Sequence, residues 1–504
     1  MTTEERLRGV QRDILARRPE HDIEPTLDRM AELALLLGDP QRAYPVIHVT
    51  GTNGKTSTAR MTETLLRARG LRTGLFTSPH LSSIRERIAV DGEPLPAEAF
   101  IAAYDEVAPY LALVDERQPV RLSFFEVLAA MAFSAFADAP VDVAVIEVGL
   151  GGTWDATNIT DGAVAVVTPI AIDHTRYLGD TVEEIAAEKA GIIKAGSVAI
   201  IAQQPVAATE VLLRRAADVC ASVAREGLEF GVTSRELAVG GQQLNIHGLR
   251  GNYDDLLLPL FGEYQAGNAA CALAAVEAFA SATDVGADPS AAGWPEEVNG
   301  TEVTPETGVG AAWAGYRTPV GRPAGTDASS VLVEGQLDPG LVRKAFGEMT
   351  SPGRLEVVRR SPVVLVDAAH NPAGMAAAVA GLTEAFTFTA MVGVLAVSTD
   401  KDVTGILDEL EPVISELVVT RNSSDRSMDP DSLAELAVDV FGPERVRTAE
   451  RLDEALEIAV GLADDAAGTD GLGRPGVLVT GSVITAGDAR LLLSSPSRGA
   501  AEQA

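Results

Sequence analysis

The segment Val46-Ile47-His48-Val49-Thr50-Gly51-Thr52-Asn53-Gly54-Lys55-Thr56-Ser57 constrains this chain more than any other. A β-branched run, a glycine turn closing on Gly-Lys-Thr and a helical stretch through Leu66 form one unit. Such a unit aims backbone N–H groups, a helix N-terminus and one ammonium at nucleotide phosphates. The Thr56 hydroxyl is then placed to bind Mg2+. The general P-loop pattern has its first glycine where this chain has Val49, so the match is to the shorter Gly-x-x-Gly-Lys-Thr form.

The rest of the chain repeats the alternation. Pro45–Thr50, Val141–Val148, Gly162–Thr168 and Ser197–Ala202 read as strands, and Glu98–Leu111, Phe124–Phe136 and Thr181–Ile193 as helices. The pattern resumes with strands Val363–Asp367, Ala390–Val397, Leu417–Thr420 and Gly476–Thr480. Helical stretches Pro372–Ala385, Val403–Leu410, Asp431–Val440 and Arg451–Leu462 lie between them. Strands alternating with helices predict an α/β fold with mostly parallel sheets, in a larger N-terminal and a smaller C-terminal domain. The expected division is 1–350, a linker at 351–356, a C-terminal domain at 357–493 and a loose tail at 494–504. Ser281–Gly335 is rich in Gly, Pro, Thr and acids without either period, and reads as a mobile insertion.

Charge narrows the function. The formal net charge is −32, from 72 acidic and 40 basic residues, which argues against a nucleic-acid or anionic-membrane surface. A polyanion held in a small basic site remains allowed. Only Lys55, Lys189, Lys194, Lys344 and Lys401 are lysines, so each merits individual attention. Two cysteines, Cys220 and Cys271, exclude a disulfide scaffold or thiolate metal site. The first residues contain no apolar signal region, and no apolar run reaches the ~18 residues of a membrane span. A soluble, cytoplasmic, monomeric protein is the expectation.

Further groups of residues carry chemistry. Glu147-Val148-Gly149-Leu150-Gly151-Gly152 puts a carboxylate at a strand end, where α/β sheets present ligands. Asp173-His174 follows another strand, and Thr56, Glu147 and His174 together would give Mg2+ a mostly oxygen, partly open shell. Lys189 is either an exposed helix lysine paired with Glu188 or a functional one. Val366-Asp367-Ala368-Ala369-His370-Asn371-Pro372 ends a strand and starts a helix, with Asn371-Pro372 as cap and first-turn pair. Ser351-Pro352-Gly353-Arg354-Leu355-Glu356 offers an arginine to a phosphate.

In this order, together with Thr77-Ser78-Pro79-His80-Leu81, Glu86-Arg87-Ile88, Glu147–Asn158, Leu178-Gly179, Glu188–Ile193 and Gly267-Asn268-Ala269, these pieces resemble the folylpolyglutamate synthase and dihydrofolate synthase family. That family is a branch of the Mur ligase superfamily, and the resemblance is to its actinobacterial members. It implies a P-loop ATPase domain followed by a Rossmann-like domain, and ATP-dependent amide-bond formation with L-glutamate. The acceptor would be dihydropteroate or a reduced folate, activated as an acyl phosphate.

By position, Gly51, Thr52, Asn53, Gly54, Lys55 and Thr56 would hold the triphosphate, and Asn268, Arg354 and Asp367 would contact ATP across the cleft. Two Mg2+ sites are implied, one at Thr56, Ser78 and Glu147 and a second at His174. Lys189 matches the lysine that is carbamylated in relatives, and with Lys55 and His370 forms the catalytic set. The pterin side would involve Ile23, Glu24, Pro25, Ser123, Phe124, Phe125, Glu126, Trp154, Asp155 and Ala156. Ser398, His370 and Arg426 would lie toward glutamate or phosphate.

The chain departs from the family at Thr153 and Tyr264, where Arg and His are usual, and at Asp425-Arg426-Ser427, where Pro-Arg-Ala is usual. Two other readings compete. A Mur-type ligase acting on a nucleotide-linked peptide calls for a further N-terminal domain, whereas 50 residues precede Gly51. A non-catalytic nucleotide or folate switch needs the P-loop alone. The polyanionic substrates and the charge of −32 together imply a local positive site inside a negative field.

Overall fold

A computed structural model describes residues 2–20, 22–284, 335–467 and 474–494. Its centre is the strand Val46–Thr50, buried at every position. Val143–Glu147 and Gly162–Val167 pair with it on either side, both parallel. The full sheet has eight strands, in the order Glu93–Pro94, Ile88–Val90, Thr73–Phe76, Val143–Glu147, Val46–Thr50, Gly162–Val167, Val198–Ile201, Ser222–Arg225. The first two run antiparallel at the edge, and the other six are parallel. Unbroken Val/Ile/Ala runs such as Val143-Ala144-Val145-Ile146 arise because helices cover both faces.

Helices Lys55–Ala68 and Glu263–Asp284 pack against each other and side by side on one face of the sheet. On the other face lie Ala97–Arg117 and Phe124–Asp138. The helix expected over Glu98–Leu111 continues to Arg117 through Pro109. Burial of Leu111 and Val114 on its inner stripe outweighs the hydrogen bond that the proline removes. The helix expected over Thr181–Ile193 ends at Lys189 and gives way to a 3-10 turn at Ala190–Ile192.

A second sheet has six strands, in the order Glu356–Arg360, Val363–Val366, Pro475–Thr480, Ala390–Leu395, Glu416–Val419, Val446–Thr448. All are parallel except the first. Its helices Pro372–Ala385, Val403–Leu410, Pro430–Phe441 and Leu452–Ala466 fall within a few residues of expectation.

Several elements were not anticipated, among them helices Thr3–Leu15 and Val206–Asp218 and strands Thr73–Phe76 and Ser222–Arg225, and two larger features have a clear physical reason. Gly231–Ala238, Gly241–His247 and Asn252–Leu258 form an antiparallel sheet. Irregular register between Leu244 and Ile246 breaks the alternation that would have revealed it. Glu263–Asp284 is an Ala-rich helix buried on nearly all sides, so it shows no one-sided period. It carries the chain into the stretch read as an insertion, whose residues 285–334 lie outside the described residues, as does 495–504 of the tail. Among the described residues no helix is long and apolar enough to cross a membrane.

Candidate active site

Both parallel sheets turn their carboxyl ends toward one cleft of about 1520 Å3, where open α/β sheets bind ligands. The first sheet presents Thr52–Ser57, Glu147, Pro169–Ala171 and Ala202, and the second Asp367–His370, Ser398–Lys401 and Ser482–Ile484.

The P-loop is shaped by two glycines. Gly51 has φ +146°, and a Cβ there would fall 1.8 Å from Thr168 Oγ1. Gly54 has φ +88° and faces Asn268, with a Cβ 2.4 Å from its Oδ1. No side chain caps helix Lys55–Ala68, which leaves its first N–H groups available to an anion. Thr52 and Asn53 N–H donate to Pro169 O at 3.0 and 3.3 Å, anchoring the loop to the adjacent strand end. Lys55 Nζ reaches Gly51 O at 3.1 Å and Thr52 O at 3.0 Å. Burial lowers its pKa, while Glu147 and Asp173 oppose the shift. A Gly54→Ala variant combines this crowding with a left-handed backbone costing about 1–2 kcal/mol for alanine. It is expected to weaken ATP binding about tenfold, and nucleotide titration against the parent protein checks this.

Thr56 Oγ1 donates to Glu147 Oε1 at 2.8 Å, and Ser78 N–H to Glu147 Oε2 at 3.1 Å. Burial raises the Glu147 pKa, opposed first by Lys55 and then by the Thr56 bond. A hydroxyl and a carboxylate converging beside a phosphate-binding loop are the hard oxygen donors that suit Mg2+, so these residues fit the first metal site.

Lys189 is not an exposed lysine. It is 2% exposed, and its Nζ donates to Gly51 O at 2.8 Å. Burial, reinforced by the Lys55 charge, lowers its pKa to about 7. A small cavity of about 30 Å3 opens beside it, walled by Gly51, Lys55, Gly149, His174 and His370 among others.

Where the two sheets meet, Asn53 and Asn371 exchange side-chain amide bonds at 3.2 Å. Asn371 caps helix Pro372–Ala385, as expected, and also donates to Asp173 Oδ2 at 3.0 Å. Lys401 Nζ binds Asp173 Oδ1 at 2.6 Å. Burial disfavours the Asp173 carboxylate, but His174, Lys401 and His370 together hold its pKa well below the usual range. His174 takes the left-handed conformation at φ +52°, and burial lowers its pKa to about 3. His370, with Nδ1 2.9 Å from Ala368 O, is lowered to about 4 by burial and then by Lys401. Both imidazoles are therefore neutral near pH 7. Lys401 escaped the sequence reading as a site residue, and its one signal was the scarcity of lysine.

Of the pterin-side residues, Ile23, Glu24, Ser123, Phe125, Glu126, Trp154, Asp155 and Ala156 line the cleft. Pro25 and Phe124 do not, and the Phe124 ring instead lies 5.0 Å from the Arg87 guanidinium carbon. Two of the carboxylates serve their own scaffold. Glu126 closes a capping box with Ser123 and pairs with buried Arg29 at 2.9 Å, and Asp155 accepts from Leu150 and Thr157.

Asn268, Arg354, Asp367, Ser398 and Arg426 all line the cleft. Asp367 accepts from Leu355 and Ala369 N–H, and Arg426 pairs with Asp400. Thr153 turns its hydroxyl to Glu188 O at 3.0 Å, and Tyr264 lines the cleft beside Asp367.

The local positive site is narrower than the charge argument implied. Eleven lining residues are Asp or Glu against eight Lys or Arg, so the cleft as a whole is not cationic. At the P-loop end Lys401 and Arg354 lie close enough to Lys55 to act on its charge, beside a helix N-terminus and with Glu147 and Asp173 as counter-charges.

Two family models match the chain: the Mur ligase middle domain over residues 115–276 and the Mur ligase glutamate ligase domain over 353–483. The dihydrofolate synthase/folylpolyglutamate synthase of Mycobacterium tuberculosis is 47% identical, covering 94% of this chain and 91% of the relative. The folylpolyglutamate synthase of Lacticaseibacillus casei is 32% identical over 77% of this chain and 79% of its own. Crystal structures of the M. tuberculosis folylpolyglutamate synthase complexed with ADP and AMPPCP match with TM-score 0.84 and 46% identity, covering 98% of this chain and 100% of that one. An FPGS–AMPPCP–folate complex matches with TM-score 0.75 and 28% identity, covering 97% of this chain and 100% of that one.

Proposed function

The chain belongs to the dihydrofolate synthase/folylpolyglutamate synthase family of Mur ligases, and from that premise we propose the reaction it performs and the residues that perform it. It is an ATP-dependent amide ligase. It adds L-glutamate to dihydropteroate, giving dihydrofolate, and to the γ-carboxyl of reduced folates. The acceptor carboxylate attacks the γ-phosphate and expels ADP, and the glutamate amine then displaces phosphate from the acyl phosphate.

This chemistry asks the protein for positioning and charge stabilisation rather than for a covalent nucleophile. The P-loop N–H groups and Lys55 hold the triphosphate, while Asn268, Arg354 and Asp367 hold the nucleoside end. Thr56, Ser78 and Glu147 would hold Mg2+, which would supply positive charge to the transferring phosphoryl group. Lys189 is carbamylated: its neutral amine adds to CO2 and loses a proton, which replaces a cation with a carboxylate beside the phosphates. At pH 7 a pKa of about 7 leaves half of the amine unprotonated, on the order of a thousandfold more than an ordinary lysine offers. The cavity beside Nζ leaves room for the added group. His370, neutral, orients at the join between the sheets, and Ser398 and Arg426 face the incoming glutamate.

The observation that carries this reading is the convergence of Lys55, Glu147 and Lys189 at one end of a cleft whose remaining walls hold the pterin-side residues. We propose further that the enzyme works as a monomer in the cytoplasm.

The test is direct. Purified protein is incubated with ATP and glutamate, once with dihydropteroate and once with a reduced folate, and product masses are read. One added glutamate in the first case and a ladder in the second is the expected result. Phosphate release indifferent to acceptor and glutamate would refute the ligase.

A further inference from the structure

The strand that ends in the P-loop, Val46–Thr50, holds an imidazole at its centre that the reaction above does not use. His48 is fully buried between Ile47 and Val49, at a position where an apolar side chain would suit the sheet. Gly162, which begins the neighbouring strand, leaves space beside it: a Cβ there would lie 3.1 Å from His48 Cβ. Burial lowers the His48 pKa to about 3, so the ring is neutral near pH 7 and has a single N–H to give.

Its partners decide which nitrogen holds that proton. His48 Nε2 lies 2.9 Å from Thr157 Oγ1, which lies 2.5 Å from Asp155 Oδ1. Asp155 also accepts from the N–H groups of Thr157 and Leu150, both at 2.9 Å. A carboxylate only accepts, so the Thr157 hydroxyl donates its one proton to Asp155, and its oxygen accepts from His48 Nε2–H. His48 Nδ1, buried and without a partner among the described residues, is then the unprotonated nitrogen. One directed chain runs from His48 through Thr157 to Asp155.

This chain starts beside the P-loop and ends on a wall of the cleft, where Asp155 and Ala156 stand near Phe125 and Trp154. The same strand makes a second tie, as Thr50 Oγ1 donates to Gly151 O at 2.7 Å. From the other side Lys194 Nζ steadies the turn Ala156–Ile159 by donating to Asn158 O at 2.8 Å. One strand therefore sets both the phosphate-binding loop and the wall facing it. In-line attack needs that register, since misplacing reacting groups by about 1 Å can cost on the order of a hundredfold in rate.

We propose that His48 is a positioning residue for the acceptor: acting through Thr157, it fixes the orientation of Asp155, and with it the pterin end of the substrate relative to the P-loop. It touches neither substrate. The inference rests on the placement of Asp155 on the pterin side proposed above.

The test compares steady-state constants of the parent, His48→Leu, His48→Gln, Thr157→Val and Thr157→Ser enzymes, each checked for its fold by circular dichroism. Losing the donor in His48→Leu, or the hydroxyl in Thr157→Val, is expected to raise KM for dihydropteroate about tenfold while KM for ATP stays within about twofold. His48→Gln, which can place an N–H near the same point, and Thr157→Ser recover most of the loss. The double variant His48→Leu/Thr157→Val is expected to be no worse than either single one, because both break the same chain. Equal rises in KM for both substrates, or losses that add in the double variant, overturn the proposal. Asp155→Asn tells two failures apart. A raised dihydropteroate KM there, with parent values in His48→Leu and Thr157→Val, overturns the positioning role and leaves Asp155 on the pterin side. Parent values in Asp155→Asn overturn that placement and the inference with it. A second measurement reads the chain directly. In protein labelled with nitrogen-15 histidine, the His48 ring, assigned by its absence from His48→Gln, is expected to be the Nε2–H tautomer and to shift when dihydropteroate is added. A proton on Nδ1, or signals indifferent to dihydropteroate, overturns the proposal.

Discussion

A Lys189→Met enzyme is expected to keep its fold and lose ligation, with kcat falling on the order of a hundredfold to a thousandfold, the scale of removing one charged group from a preorganised site. Lys189 is buried and donates to Gly51 O, so the side chain acts on the P-loop and the phosphates together. If its working form is the carbamate, the parent enzyme carries a second signature. Activity falls in CO2-depleted buffer and returns on addition of bicarbonate, and the Met variant responds to neither. An enzyme indifferent to CO2 would mean that Lys189 works as an amine.

The same residue makes a stability prediction whose sign follows from its pKa. The folded value is about 7, below the unfolded 10.5, so between these pH values the unfolded chain holds a proton that the folded chain lacks. The buried lysine destabilises the fold most below pH 7, and its cost disappears as the pH rises toward 10.5. The Met variant should therefore gain over the parent at pH 6 and lose that advantage by pH 10, with urea unfolding as the measurement.

The second large effect is expected at Glu147. Glu147→Gln keeps the shape and, through its amide oxygen, can still accept from Ser78 N–H, but its amide nitrogen has to donate to Thr56 Oγ1 where the carboxylate accepted, and the charge is removed. Loss of phosphoryl-transfer support of about 3–4 kcal/mol lowers kcat on the order of a hundredfold or more. Stability should move the other way. Burial raises the Glu147 pKa, so its charge costs the fold free energy that is fully felt above the raised value. Removing the charge relieves that cost near neutral pH, and Tm rises or holds. A variant that loses activity and stability together would instead mark Glu147 as a structural residue whose partner Lys55 needs its charge.

The sequence was legible where local pattern and tertiary role agree. Val46–Thr50 reads as a buried strand because helices cover both faces of the sheet at its centre, and Gly51 and Gly54 sit where only glycine fits. Asn371-Pro372 reads as a helix start because cap chemistry is local. The antiparallel sheet at Gly231–Leu258 was illegible for the converse reason, since register shifts erase its alternation. Phe124 shows a subtler gap: the segment Ser123–Glu126 borders the cleft, but the helix phase directs Phe125 into it and Phe124 toward Arg87.

By itself, then, the sequence determined the P-loop, the order of strands and helices, and the residue types that phosphoryl transfer requires, because each is written in contiguous residues. The tertiary structure decided the electrostatics. Burial turned Lys189 from a surface cation into an amine near neutrality, and two carboxylates near the pterin side were taken up by their own scaffold. It also brought Lys401 to Asp173, across 228 residues, where the charge of one sheet closes on the other. Desolvation and long-range pairing depend on what surrounds a side chain, and the linear order of residues does not contain those surroundings.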